Sequence, residues 1–348
     1  MQANSNPVPH GLRVVAIGGG TGLSTLLKGL KPYTLLAGEE PPASTFVSEL
    51  TAVVTVSDDG GSSGRLRREL NILPPGDIRN CLVAVSEDEN LISRLFQHRF
   101  SGGGELEGHS FGNLFLAALT AITGDFAEAV KRASEILATR AHILPATSSN
   151  VQLDAQMNDG SRVYGETNIN ASDKRIVELR MVPPDARPLA QTLTAIAEAD
   201  VITIGPGSLF TSLIPNVLVS GIPEAIAASK AVKIFICNLM TEANESLNMS
   251  ASQHIEAIFS HARKRIFDYA LVNSAPISPA MQERYAQEHA QQVECDPQAV
   301  ERLGVRCIAG NFVEENDYAR HATDRLCREL LRLAQLAHLP STSGKMMA

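Results

Sequence analysis

The sequence predicts an α/β protein: an open parallel sheet flanked by helices, with a smaller β-containing region inserted into it. Three observations carry this. Short β-branched runs end on glycine or asparagine, amphipathic segments with helical spacing separate them, and one pair of apolar runs flanks an Asn-Asp-Gly turn.

In chain order, residues 13–17 form a first strand, a β-branched run stopped by glycines. Leu23, Leu26, Leu27 and Leu30 recur at helical spacing, which predicts a helix over 22–29. A second strand over 50–56 runs into a glycine-rich loop, 58–64, and the basic helix start RLRREL. Residues 78–86, 91–96, 113–123 and 126–137 read as helices, with 102–104 a flexible insertion, so the middle of the chain is helical rather than strictly alternating. Strands over 151–157 and 161–167 flank Asn158-Asp159-Gly160, a turn that favours positive φ, and 176–179 adds another. The βα alternation then returns. A helix over 189–198 leads to a strand over 201–204 ended by Gly205-Pro206-Gly207. A helix over 222–229 leads to a strand over 233–237 ended by Asn238. A helix over 254–266 leads to a strand over 269–272 ended by Asn273. One long helix follows Ala319. Residues 1–11 read as a flexible tail, 12–139 and 186–318 as the core, 140–185 as the small β-rich subdomain, and 319–348 as a C-terminal helix and tail.

Composition bounds the function. At about 150 residues per domain, 348 residues make one large domain or two smaller ones. A 44% hydrophobic content supports a real core. With 30 basic and 38 acidic residues the chain carries −8 and has no long basic run, so nucleic acid is not an expected partner. No stretch of 18 apolar residues occurs, and no membrane span is expected. Five cysteines without a CxxC fit a reducing cytoplasm better than a disulfide scaffold or zinc site.

The chemistry concentrates in a few loops. In VVAIGGGTGLSTLL, Gly19, Gly20, Thr21 and Gly22 join a strand to a helix start, where free amides and the helix dipole favour an anion. The loop has no GK[ST] of a Walker motif, and Leu23 takes the sixth position of a dinucleotide fingerprint, which argues against a nicotinamide dehydrogenase. In TVSDDGGSSGRLRREL, Asp58 and Asp59 follow a strand. A carboxylate there can bind Mg²⁺, accept a ribose hydroxyl or act as a base. Ser63 offers a hydroxyl, and Arg67, with Arg65 and Arg68, can fork onto phosphate or carboxylate. Asp77 in PPGDIRN caps a helix or joins a polar wall with Arg79 and Asn80. In GHSFGN, His109 is a base or donor candidate, Ser110 a cap and Asn113 a polar contact. Gly205, Gly207 and Ser208 repeat the first loop's logic as a second anion nest, Asn238 can reach a base or sugar, and Cys237 reads as buried.

These strings, together with PPGDIRNCLVAVSE, GHSFGNLFLAALTAITGDF, IGPGSLFTSLIPNVLV and IFICNLM, resemble the gluconeogenesis factor family, a CofD-like group related to the 2-phospho-L-lactate transferases. The likeness runs in order from about Arg13 to Asp317. It implies a Rossmann-like core that binds a nucleotide sugar. It also implies a cytoplasmic regulator of cell shape and wall synthesis on gluconeogenic carbon sources, with a UDP-sugar such as UDP-N-acetylglucosamine as ligand. The transferase relatives imply the alternative, an Mg²⁺-dependent phospholactyl transfer with Asp58 and Asp59 as catalytic carboxylates and Asp58 on the metal. Carried over, Gly19–Gly22 approach the phosphates, Asn113 and the 205–208 loop line the crevice, and Asn238 sits near the sugar or base. A homodimer and a cell-wall or morphogenesis protein partner are implied as well. The family's Thr-Gln-Pro-Gly-Glu-Thr stretch after Asn238 is altered here, with Glu242, Ala243, Asn244 and Ser246 replacing parts of it.

Overall fold

The computed structural model describes residues 11–35, 40, 46–87, 91–243 and 245–338. Residues 1–10 of the N-terminal tail, Asn244 and the last ten residues therefore lie outside the described residues. Among the described residues twelve strands form three sheets. Seven of them, β1 (Gly11–Gly18), β2 (Phe46–Val54), β3 (His142–Pro145), β7 (Val201–Ile204), β8 (Val232–Ile236), β9 (Tyr269–Asn273) and β10 (Arg306–Gly310), build one sheet. Between β3 and β7 come β4 (Gln152–Met157), β5 (Arg162–Tyr164) and β6 (Ile176–Val182), an antiparallel sheet of their own. A last hairpin pairs β11 (Val313–Glu315) with β12 (Ala319–His321).

The large sheet runs β10-β9-β8-β7-β1-β2-β3, every neighbour pair parallel. The chain builds outward from β1 to one side, then returns through β7 and builds to the other. The strand order therefore reverses between β1 and β7, a topological switch point, where ligands of open α/β sheets bind. Val14–Ile17 and all of β7 are buried because both faces are covered, which is why these strands read as unbroken apolar runs rather than alternating ones.

The first seven α-helices among the described residues are α1 (Gly20–Leu30), α2 (Gly61–Leu70), α3 (Gly76–Val85), α4 (Leu91–Gln97), α5 (Phe111–Thr123), α6 (Phe126–Ile136) and α7 (Glu166–Asn170). Leu23, Leu26, Leu27 and Leu30 are fully buried on one stripe of α1, each worth about 1.5–3 kcal/mol of transfer free energy. Helices α2 to α6 fill the connection between β2 and β3, as the helical reading of the middle section expects.

Three elements differ from the sequence reading. The strand expected over 161–167 stops at Tyr164, because Gly165, at φ 84°, turns the chain into α7. His142–Pro145 pairs with β2 in the large sheet, so the small sheet starts only at Gln152. The segment after Ala319 opens with β12, and the terminal helix Thr323–His338 begins beyond it.

Candidate functional site

A cleft of about 630 Å³ opens at the carboxyl ends of β1 and β7. Its floor is the start of α1. Gly19 is extended (φ −165°) and, having no side chain, makes no capping hydrogen bond of its own to α1. Gly22 lies flush against the second loop: a Cβ there would stand 2.2 Å from the Pro206 carbonyl oxygen. The buried Asn216 donates to the Gly18 and Ser212 carbonyls at 3.2 and 2.8 Å, and Gly205 N–H donates to Ile17 O at 3.1 Å. The two loops thus form one rigid lip.

The donors of the second loop are largely spent within the protein. Asn238 accepts from Gly207 N–H at 3.0 Å and donates to Gly207 O at 2.8 Å. Glu245, 4% exposed, accepts from Phe210 N–H at 2.8 Å and from the Thr211 hydroxyl at 2.6 Å. The anion seated in this nest is thus a protein carboxylate. Burial, and then the neighbouring Glu242, push the Glu245 carboxyl up to about 7. Burial also raises Glu242, which lines the cleft beside Ser208 and accepts from its hydroxyl.

An acidic group lies under the first loop. Asp77 is in the first turn of α3, but its carboxyl reaches Gly20 N–H rather than capping its own helix. Burial outweighs that bond and raises Asp77 to about 6. Glu166, from α7, also lines the cleft. Burial, followed by repulsion from Asp58 and Asp77, pushes its carboxyl up to about 9. Asp58 accepts from Gly60 N–H at 2.8 Å, and Asp59 accepts from Thr167 N–H at 2.8 Å and its hydroxyl at 2.6 Å. Asp59 thereby ties the inserted region to the glycine loop. Gly165 is needed at this joint twice over, for its positive φ and because a Cβ would stand 2.3 Å from Asp59 Oδ2.

Among the described residues no group of three or more His, Cys, Asp or Glu side chains is spaced to hold a metal ion unaided. The donor chemistry still suits Mg²⁺, which is commonly held by one or two carboxylates together with water and substrate phosphate. Asp58 and Asp77 are such a pair, close enough for the Asp58 charge to raise Asp77.

The structure gathers Gly19, Gly20, Thr21, Gly22, Gly207, Ser208 and Asn238 on the cleft wall. Gly205 sits behind it at the end of β7. Ser63 and Asn113 are buried in a supporting network. Asn113 Nδ2 donates to Ser62 Oγ at 3.1 Å and to Ser63 Oγ at 3.5 Å. Ser62 meets His109 Nδ1 at 2.9 Å, and Arg79 donates to Ser110 Oγ at 2.5 Å. Arg67 Nη2 donates to the Val151 carbonyl while its buried Nη1 has no hydrogen-bond partner among the described residues, with Asp58 and Asp59 nearby. Cys237 is buried, and burial raises its thiol. Several cleft residues carry no sequence signal of their own, Glu166, Tyr285 and Arg320 among them. Arg320 comes from β12 and is the one Lys or Arg lining the cleft among the described residues. His321 beside it is kept neutral by burial, its pKa lowered to about 4.

Comparisons with known proteins agree on one family. Residues 14–313 match the family described as 2-phospho-L-lactate transferase CofD. The gluconeogenesis factor of Halalkalibacterium halodurans is 48% identical over 91% of this chain and 95% of its own length. That of Bacillus subtilis is 44% identical over 92% and 98%. A crystal structure of a UPF0052 family protein from Bacillus halodurans superposes with a TM-score of 0.86 at 47% identity, covering 92% of this chain and 99% of that one.

Proposed function

The chain belongs to the CofD-like gluconeogenesis factor family, and from that premise we propose that it binds a UDP-sugar, UDP-N-acetylglucosamine foremost, in the cleft between β1 and β7. In this reading it is a cytoplasmic regulator that supports cell shape and wall synthesis on gluconeogenic carbon sources. The observation that carries the ligand class is the switch-point cleft itself. Backbone at Gly19–Gly22, whose Gly20 N–H meets Asp77, faces a volume of nucleotide size, and a single guanidinium, Arg320, is available on its rim. The diphosphate lies over the start of α1, Arg320 offsets its charge, and Asn238, Thr241 and Glu242 border the sugar end.

Titration calorimetry with UDP-N-acetylglucosamine, GDP and NAD, each with and without Mg²⁺, tests this. Saturable binding that favours the UDP-sugar is expected, weakened about tenfold in Arg320→Ala. Absence of binding by every nucleotide would overturn the reading.

One observation favours a second reading, a transferase. Asp58, Asp77 and Glu166 crowd the phosphate loop, and Glu166 keeps its proton at neutral pH. A protonated carboxyl beside a diphosphate can donate to a leaving oxygen. Mg²⁺, held by Asp58 and Asp77, would supply charge offset to the diphosphate. Sustained heat from turnover with Mg²⁺ and a phospholactyl-nucleotide donor, abolished in Asp58→Asn, is the outcome this reading requires.

A further inference from the structure

On the far side of the Thr21–Thr25 turn from the nucleotide cleft, α1, α3 and α4 enclose a second pocket, of about 420 Å³. Both cavities are lined by Thr21 and Thr25, so one helical turn separates them. Their ionisable linings differ. The cleft is lined by Asp77, Glu166, Glu242 and Glu288 against Arg320 alone. The second pocket is lined by Lys28 and Arg94 and by no carboxylate among the described residues.

Lys28 on α1 and Arg94 on α4 are both exposed, neither is in an ion pair among the described residues, and both face one cavity from different helices. Asn80, from α3, completes the set. Its Oδ1 accepts from Arg79 Nη2 at 2.8 Å, which leaves its NH₂ as a donor on the pocket wall. Gln97 adds a second amide and Thr21 a hydroxyl. The pocket thus offers a point cation, a guanidinium fork and neutral donors, the recognition set of a tetrahedral dianion.

We propose that this pocket binds a small phosphomonoester, held beside the nucleotide ligand and at the same time as it. The volume lies near the lower end for ligand pockets and suits a metabolite rather than a folded partner. The proposal stands on Lys28, Asn80 and Arg94 and does not require the nucleotide reading.

The test is calorimetric titration of the full chain with glycerol 3-phosphate, alone and with saturating UDP, with glycerol as the uncharged control. A phosphoserine peptide forms a separate arm. Lys28→Gln and Arg94→Gln are exposed helix substitutions that leave the core untouched. Each should weaken glycerol 3-phosphate about tenfold, while Lys28→Arg retains most of the affinity. UDP-N-acetylglucosamine, titrated separately, should bind both Gln variants as it binds the parent. A failure of the nucleotide reading shows in that titration alone. The proposal is overturned if glycerol 3-phosphate does not saturate, if UDP displaces it, if both variants bind it as the parent does, or if only the phosphopeptide binds.

Discussion

Gly22 shows how one atom can define a site. A Cβ added to it would stand so close to the Pro206 carbonyl that any side chain drives the two phosphate-side loops apart. Gly22→Ala should therefore lose nucleotide affinity altogether and cost about 1–3 kcal/mol of stability, the range of other overpacked sites. Urea unfolding and calorimetry on one preparation would read both; a Gly22→Ala protein that binds normally would show that the loops have room to move. Glu166 makes a different prediction. Its ordinary pKa of 4.5 is raised to about 9 by burial and by Asp58 and Asp77, so the folded protein holds a proton that the unfolded chain has released. Between those limits the unfolded state binds fewer protons, and stability falls as pH rises. The contribution is complete below about 4.5 and gone once pH passes about 9. Asp77, raised from 3.8 to about 6, adds to the fall at the lower end of this window. Urea unfolding across pH should show the decline in the parent and a flatter profile in Glu166→Gln, and identical slopes would remove Glu166 from the acidic group.

At the scale of elements, the second glycine loop is held by side chains distant in sequence. Glu245 satisfies Phe210 N–H and the Thr211 hydroxyl from inside the fold. Glu245→Ala leaves both donors buried without an acceptor and should cost about 2–4 kcal/mol. Glu245→Gln keeps an oxygen in place and relieves the repulsion from Glu242, so it should cost markedly less. Equal losses in denaturant unfolding would mean that packing, not the hydrogen bonds, dominates. The same contrast explains what the sequence can disclose. A strand, a glycine turn and a helix start are written in adjacent residues, so the loops at 18–22 and 205–208 are legible, as are the unbroken apolar runs of β1 and β7. Asp59 and Thr167 are separated by 108 positions, and no local pattern announces that α7 docks there and carries Glu166 into the cleft. Strand β12 is three residues long, too short for a period-2 signal, and Arg320 reads as part of a helix for that reason. Ser63, Asn113 and Arg67 are legible as polar residues beside the loops, but their inward bonds depend on helix packing that local sequence does not encode.

For the whole molecule, the decisive property is that the site joins parts that lie far apart in sequence. Four of the parts that line the cleft are the first βα unit, the inserted region through Glu166, the loop after β7, and the terminal hairpin through Arg320. A ligand that touches all four stabilises the folded chain by RT ln(1 + [L]/Kd), about 2.7 kcal/mol at a hundredfold excess over Kd. At about 2–4 °C per kcal/mol for chains of 150 to 250 residues, and somewhat less for one this long, that is a rise in Tm of several degrees. Such a ligand should also slow amide exchange together at 19–22, 166–170, 207–208 and 319–321, segments with no continuity in the chain. Arg320→Ala is the discriminating control. Arg320 is exposed, so its loss should leave the unliganded Tm unchanged while halving or abolishing the shift at a fixed UDP-sugar concentration. Hydrogen exchange by mass spectrometry with and without UDP-N-acetylglucosamine separates the possibilities. Protection confined to 19–22 would describe a phosphate bound by one helix start, whereas protection at all four segments requires a ligand that spans the switch point and closes the hairpin onto it.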